Sequence, residues 1–281
     1  TLTWHFDNLE YRVDATTARG ASGGVSVNGE TGFGWAVPGG SATLTATPDD
    51  AEADEFQYWT GDVPYANRFD NPLTVSVDKA KNIMPFFGRK DGGVCVTKDA
   101  AGNWYDAATW EDGVVPGTND TVTVTGNATI DLTSMMAVKS LVVASGKLTL
   151  ATGHDIPAKL KVVDDLTVAS GAEVVIGANN RKSFVDLAVG GDLMLAGTAK
   201  LTVYAGGANV ANPTWRDFKR GGSAVDVGGS LALDGTSVLT TYASPNTGLG
   251  VVIGAGSVSI AEGAKIKSYG WGARKGPGYA S

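Results

Sequence analysis

The side chains best suited to binding a ligand lie in two basic and aromatic stretches of an otherwise acidic chain. Aromatic rings can stack on the face of a sugar, and cationic groups can pair with carboxylate or sulfate. We therefore predict a glycan- or partner-binding site formed by Trp215, Arg216, Phe218, Lys219, Arg220, Arg181 and Lys182. The alternative is that Trp215 and Phe218 pack against the flank of the fold while the charged residues keep the loop soluble.

Signals for catalysis and for metal binding are weak. The chain has two histidines, His5 and His154, which leaves little material for a catalytic triad or a histidine-rich metal site. Aspartates could supply calcium ligands, but no Asp-x-Asp-x-Asp loop occurs. We expect the aspartates at corners and on the solvated face, and the sequence predicts no catalytic residue, no metal site and no cofactor. The aspartates concerned are Asp164, Asp165, Asp186, Asp192, Asp226 and Asp234.

The composition is that of a packed β-protein. Of 281 residues, 43% are hydrophobic, 18% are charged and 39 are glycines, which favours short strands and tight turns. The formal net charge of −7 argues against nucleic acid as a partner, because phosphate binding needs a basic surface. No run approaches the ~20 apolar residues of a membrane span. The single cysteine, Cys95, is predicted to be a small buried hydrophobe in a strand.

A repeat dominates the second part of the chain. Short apolar strands recur at intervals of 27, 38 and 27 residues (166 to 193, 193 to 231, 231 to 258). Such strands stack as parallel coils, because one coil cannot bury its apolar face alone. Each repeat has an apolar residue, a glycine and a second apolar residue eight positions after the first: Leu166, Gly171 and Val174; Leu193, Gly197 and Leu201; Leu231, Gly235 and Leu239; Val258, Gly263 and Ile266.

Two further features belong to this repeat. The glycine pairs Gly190-Gly191 and Gly228-Gly229 precede the strands, and we predict that they turn corners with positive φ. Trp104 and Trp110 precede the first coil, where they can cover the apolar end that a solenoid otherwise exposes. The sequence thus predicts a capped parallel β-solenoid.

The first part of the chain predicts a small β-domain. Residues 41–47 alternate with period two, which points Ala42, Leu44 and Ala46 inward. Four further aromatic residues are expected to add large side chains to the core of this small domain, namely Phe33, Trp35, Phe86 and Phe87.

Two family resemblances follow from these motifs. Pro38-Gly39-Gly40, Phe56-x-Tyr58-Trp59-x-Gly61-Asp62 and Asn71-Pro72-Leu73 resemble the divergent internalin-type B-repeat of large bacterial surface proteins, over residues 10–88. The Asn-Trp…Trp…Val-Pro-Gly…Asp stretch after Gly102 resembles the opening of passenger-like β-helical regions in secreted bacterial proteins, over residues 102–281. The first resemblance implies a spacer or adhesion module and not a catalyst.

We therefore expect an all-β protein, in which a small β-sheet domain is followed by a parallel β-solenoid (β-helix). The expected limits are 1–89 for the small domain, 90–120 for a linker and cap, and 121–281 for a solenoid that is cut short. The expected function is that of a non-catalytic structural or adhesion segment of a large bacterial protein, extracellular or at the cell surface. Its expected partners are a polysaccharide or the surface of a host or neighbouring cell. The alternatives are a fragment of a β-helical polysaccharide lyase or other carbohydrate-active enzyme, and a self-assembling fibre or surface-layer subunit.

Overall fold

The chain is all-β, as predicted. The structure is a computed structural model, and its described residues contain no α-helix and include a short 3-10 turn at Ala107–Thr109. Two compact units follow one another, Thr1–Asp91 and Gly92–Ser281. The described residues are 9–17, 23–64, 67–98, 102–131, 135–151, 158–178, 184–206, 222–244 and 249–270.

The first unit has two four-stranded sheets, in the orders β4-β1-β8-β6 and β3-β2-β5-β7. All pairings in them are antiparallel except that of β1 with β8. The strands are β1 (Tyr11–Ala15), β2 (Gly23–Val27), β3 (Glu30–Thr31), β4 (Phe33–Ala36), β5 (Gly40–Pro48), β6 (Asp54–Gly61), β7 (Leu73–Val77) and β8 (Lys81–Arg89).

Inward-facing residues of both sheets form one apolar core. Ala42, Leu44 and Ala46 are buried in it, as their alternation predicts. Trp59 is fully buried and donates its indole hydrogen bond to the carbonyl oxygen of Asp70 at 2.7 Å. The side chain of Asn71 ties both backbone groups of Ala46, because its amide donates to the carbonyl at 2.8 Å and its oxygen accepts from the N–H at 3.0 Å.

Phe87 is buried in this core, as predicted, and Phe86 is partly buried and stacks on Tyr58. Phe33 and Trp35 are not in this core, and the prediction that placed them there is wrong. Their side chains are 44% and 51% exposed, whereas Gly34 and Ala36 between and after them point inward. A β-carbon on Gly34 would collide with Val27, so that side of β4 has room for small residues only. The two aromatic rings consequently lie on the outer face of the sheet.

The second unit is a parallel β-solenoid, with 17 strands in the part that the structure describes. Its pairings are parallel from coil to coil, and the long strands β22 and β24 each span two positions of a coil. The strands are β9 (Val94–Val96), β10 (Gly102–Asn103), β11 (Thr121–Val124), β12 (Asn127–Asp131), β13 (Met135–Val138), β14 (Ser140–Val143), β15 (Lys147–Ala151), β16 (Ala158–Val162), β17 (Leu166–Val168), β18 (Glu173–Ile176), β19 (Val185–Val189), β20 (Leu193–Leu195), β21 (Lys200–Tyr204), β22 (Ala224–Leu233), β23 (Val238–Tyr242), β24 (Val252–Ile260) and β25 (Lys265–Tyr269).

The predicted repeat positions align in columns along the solenoid. Leu166, Leu193, Leu231 and Val258 are successive partners in one sheet, and Val174, Leu201, Leu239 and Ile266 are successive partners in the other. The glycine between the two strands has positive φ in every repeat, which only glycine adopts freely. The eight-residue offset is therefore the sequence distance from an inward residue on one strand, through the glycine turn, to an inward residue on the next strand.

The glycine pairs before the strands serve a different purpose from the one predicted. The predicted positive φ is not found at these pairs. The described glycines with positive φ do not include Gly190, Gly191, Gly228 or Gly229. A β-carbon on Gly228 would overlap the carbonyl oxygen of Gly190 in the preceding coil, and one on Gly190 would overlap the carbonyl oxygen of Val163. Close approach of one backbone to the next is what requires glycine at these corners.

Trp104 and Trp110 close the N-terminal end of the solenoid. Both are fully buried, with ring centroids 4.7 Å apart and planes at 80°. The indole N–H of Trp110 donates to the carbonyl oxygen of Trp104 at 2.8 Å. Cys95 on β9 is fully buried in the same apolar cluster, as predicted.

Candidate functional site

The predicted binding residues of the insertions cannot be placed. Trp215, Arg216, Phe218, Lys219, Arg220, Arg181 and Lys182 lie outside the described residues, as do His5 and His154. The insertion site therefore stays a prediction. The described surface offers three other features, namely a series of aspartates, an outer tyrosine row and an aromatic patch on the first unit.

Aspartate carboxylates connect neighbouring coils of the solenoid. Oδ1 of Asp165 accepts a hydrogen bond from the backbone N–H of Asp192 at 2.7 Å, and Oδ1 of Asp192 accepts from Ser230 at the same distance. Buried Asp186 accepts from the N–H of Ala224 at 2.8 Å. Asp165 and Asp192 thus satisfy backbone donors at corners, as predicted. Asp186 is a correction to that prediction, because it is buried within β19 and its carboxylate satisfies a donor of the next coil's strand. Within the described part of the chain, no group of three or more His, Cys, Asp or Glu residues could hold a metal ion.

Three tyrosines stack along the outside of the solenoid. Tyr204, Tyr242 and Tyr269 are successive partners, with ring centroids 4.9 and 5.2 Å apart and planes within 15° of parallel. Burial raises the pKa of Tyr204, and the nearby Tyr242 and Glu173 raise it further. Lys147 and Glu173 form an ion pair at 3.9 Å in another row of paired residues on the same sheet. These rows brace adjacent coils from outside.

An aromatic patch lies on the outer side of the first sheet of the small domain. Its apolar part is on the edge strand β4, where Phe33 and Trp35 point outward at alternate positions. Val37, two positions further, is 52% exposed. Successive outward residues of a strand are about 7 Å apart, because each residue advances the chain by roughly 3.4 Å.

Polar groups lie directly beside these rings on the neighbouring strands. Arg12 is opposite Trp35, and Asp14 is opposite Phe33 on one side and Asn82 on the other. The guanidinium of Arg12 is 2.7 Å from Oδ1 of Asp14 and 4.7 Å from the centroid of the Phe33 ring. We refer to these residues as the aromatic patch: Phe33, Trp35, Val37, Arg12, Asp14 and Asn82.

This arrangement combines a stacking surface with donors and acceptors. The rings can cover an apolar ligand face. The guanidinium donates hydrogen bonds, the carboxylate accepts them and the amide of Asn82 can do both. The sequence shows that Phe33 and Trp35 share one face of β4, since they alternate with Gly34 and Ala36. Alternation alone does not show which of the two faces is outward. The small size of Gly34 and Ala36 was the one signal in the sequence that could have indicated the inward face.

The last described coil differs from all others in its exposure. Val258, Ile260 and Ile266 occupy inward columns, yet their side chains are 56%, 50% and 46% exposed. Their partners one coil earlier, Leu231, Leu233 and Leu239, are at most 2% exposed. Among the residues that the structure describes, no later coil covers these three side chains.

Comparisons with known proteins add no assignment. No family model, no curated protein and no solved structure matches the chain. Among the described residues there is also no helix with the length and hydropathy to cross a membrane.

Proposed function

We propose that this chain is a non-catalytic structural and adhesion segment of a large bacterial protein, extracellular or at the cell surface. The solenoid acts as a rigid spacer, and the outer surfaces of the chain bind glycans or other surface partners. The insertions that carry Trp215 and Arg216 remain candidates for such contact.

The observation that carries the proposal is the continuous side-chain interior of the solenoid. From Val122 and Leu148 to Leu239, the inward columns are apolar and essentially without exposure. A filled interior gives a stiff body but offers no internal space to a substrate. Any ligand must then be bound on the outside, at insertions or on exposed faces.

Two further points support an adhesive role. The resemblance of residues 10–88 to a B-repeat of bacterial surface proteins implies a spacer or adhesion module. The aromatic patch supplies exposed rings beside hydrogen-bonding groups, which is a common requirement for binding polar ligands with an apolar face.

A binding assay and an activity assay together test the proposal. The whole chain is passed over immobilised plant, bacterial and animal polysaccharides, and binding is measured by surface plasmon resonance. In parallel, it is incubated with pectate, alginate and hyaluronan while absorbance of unsaturated sugars is followed in the ultraviolet. We expect binding without new absorbance. Release of unsaturated product would instead support the lyase alternative, and absence of binding to every surface would remove the adhesive role.

A further inference from the structure

We infer that the aromatic patch on β1, β4 and β8 is a binding site for neutral oligosaccharides. This inference rests on the proposed adhesive function and specifies its ligand class and location. It concerns the small domain, whereas the insertions of the solenoid are a separate prediction.

The size of the patch favours a small ligand over a protein. Its exposed apolar part is a short row on one strand, Phe33, Trp35 and Val37. A stable protein interface needs about 20–30 residues on each side. A row that spans about 14 Å from the first residue to the third fits a short run of sugar rings.

The chemistry of the patch favours a sugar among small ligands. A pyranose has an apolar C–H face that an indole ring can cover, and hydroxyl groups around its rim that need donors and acceptors. Trp35 supplies the ring, and Arg12 lies directly opposite it. Asp14 and Asn82 are the next outward pair, with an exposed amide on Asn82. Vicinal hydroxyls can donate to the carboxylate and accept from the guanidinium.

The charges of the patch favour a neutral sugar over an acidic one. Arg12 already forms an ion pair with Asp14 at 2.7 Å, and its guanidinium also lies over Phe33. A sulfate or carboxylate on the ligand would have to compete with Asp14 for this cation and would be repelled by that carboxylate. The net charge of −7 disfavours polyanions in general.

The test is titration of the whole chain with cellohexaose, xylohexaose and mannohexaose, and with a sulfated heparin hexasaccharide, by isothermal titration calorimetry. We expect at least one neutral hexasaccharide to bind, Trp35→Ala to weaken that binding at least tenfold, and Trp35→Phe to restore part of it. Phe69→Ala is the matched control, because Phe69 is equally exposed at 51% but lies outside the patch, and it should bind like the wild type. Circular dichroism establishes that each variant is folded.

Each other result overturns the inference in a distinguishable way. Unchanged binding in Trp35→Ala places the site elsewhere and leaves the adhesive function standing. Binding of heparin alone shows that the ligand class is wrong and directs attention to the basic insertions. Binding of no oligosaccharide, together with retention on an immobilised polysaccharide, again removes only this site, whereas failure in both assays removes the adhesive function too.

Discussion

The first and the last described coils of the solenoid bury their apolar residues to different extents. At the first coil, Trp104 and Trp110 cover the interior and are themselves fully buried. At the last described coil, Val258 and Ile260 continue the inward columns of Leu231 and Leu233 but are about half exposed. The comparison shows that burial in a solenoid is supplied by the neighbouring coils and not by the coil's own sequence, because residues of one apolar column differ in exposure according to whether a described coil lies on both sides.

The largest expected effect comes from opening the closed end. Trp110→Ala removes a fully buried ring and its hydrogen bond to Trp104, and should lower the free energy of unfolding by about 3–5 kcal/mol. Ile260→Ala in the last described coil should cost only about 1 kcal/mol, since half of that side chain already contacts water. Urea unfolding of the whole chain measures both. Equal losses would show that the two coils do not differ in the way their burial indicates.

The glycine corners offer the next largest effect. Gly228→Ala places a methyl group onto the carbonyl oxygen of Gly190 and should destabilise the solenoid by about 1–3 kcal/mol. Gly254 in the last coil is the control, because its added β-carbon would meet only Oδ1 of Asp226, at 3.2 Å. Thermal unfolding should therefore show a clear decrease for the first variant and a small change for the second. A well-tolerated Gly228→Ala would contradict the close approach of the two backbones.

Two buried serines should respond in opposite directions. The hydroxyl of Ser237 has no hydrogen-bond partner among the described residues, and Ala199 and Ala264 are its neighbours in the same column. Ser237→Ala should therefore stabilise the chain by about 1 kcal/mol. Ser223→Ala should destabilise it by about 1–2 kcal/mol, because its hydroxyl donates to Ala205 and accepts from the N–H of Val185.

The serine pair also tests how firmly the last coil is attached. Ser237 is buried because the coil that carries Ala264 covers it. If that coil were detached in solution, water would satisfy the hydroxyl and Ser237→Ala would be neutral. Equilibrium unfolding in urea of both variants distinguishes these outcomes.

The smallest expected effect is on alkaline stability. The pKa of Tyr204 is raised above its ordinary value of 10.0, chiefly by burial, so the folded state holds this proton more tightly than the unfolded state. The resulting stability is present below pH 10.0 and is lost as the pH rises through the raised pKa of Tyr204. Tyr204→Phe should flatten this loss, and Tyr269→Phe at the exposed end of the row should leave it in place. Urea unfolding at a series of pH values from 8 to 11 measures both, with phenolate absorbance as a check on Tyr204.

Much of the solenoid could be predicted because every coil repeats the same short pattern of residues and contacts only its neighbouring coils. The apolar columns, the positive-φ glycines and the buried Trp104 and Trp110 all follow from local spacing. Gly190 and Gly228 were misjudged, because a requirement for glycine set by the adjacent coil looks the same in sequence as one set by φ. The insertion residues around Trp215 have no periodicity from which a position could be argued.

The sequence by itself determined that this is a repeat of short parallel strands, because in-register stacking imposes one residue pattern on every coil. It also determined which residues of β5 are buried, since the alternation of that strand marks one apolar face. Only the tertiary structure decided that Phe33 and Trp35 face outward. Alternation assigns residues to two faces of a strand, but the packing of Val27 against Gly34 chooses which face is buried.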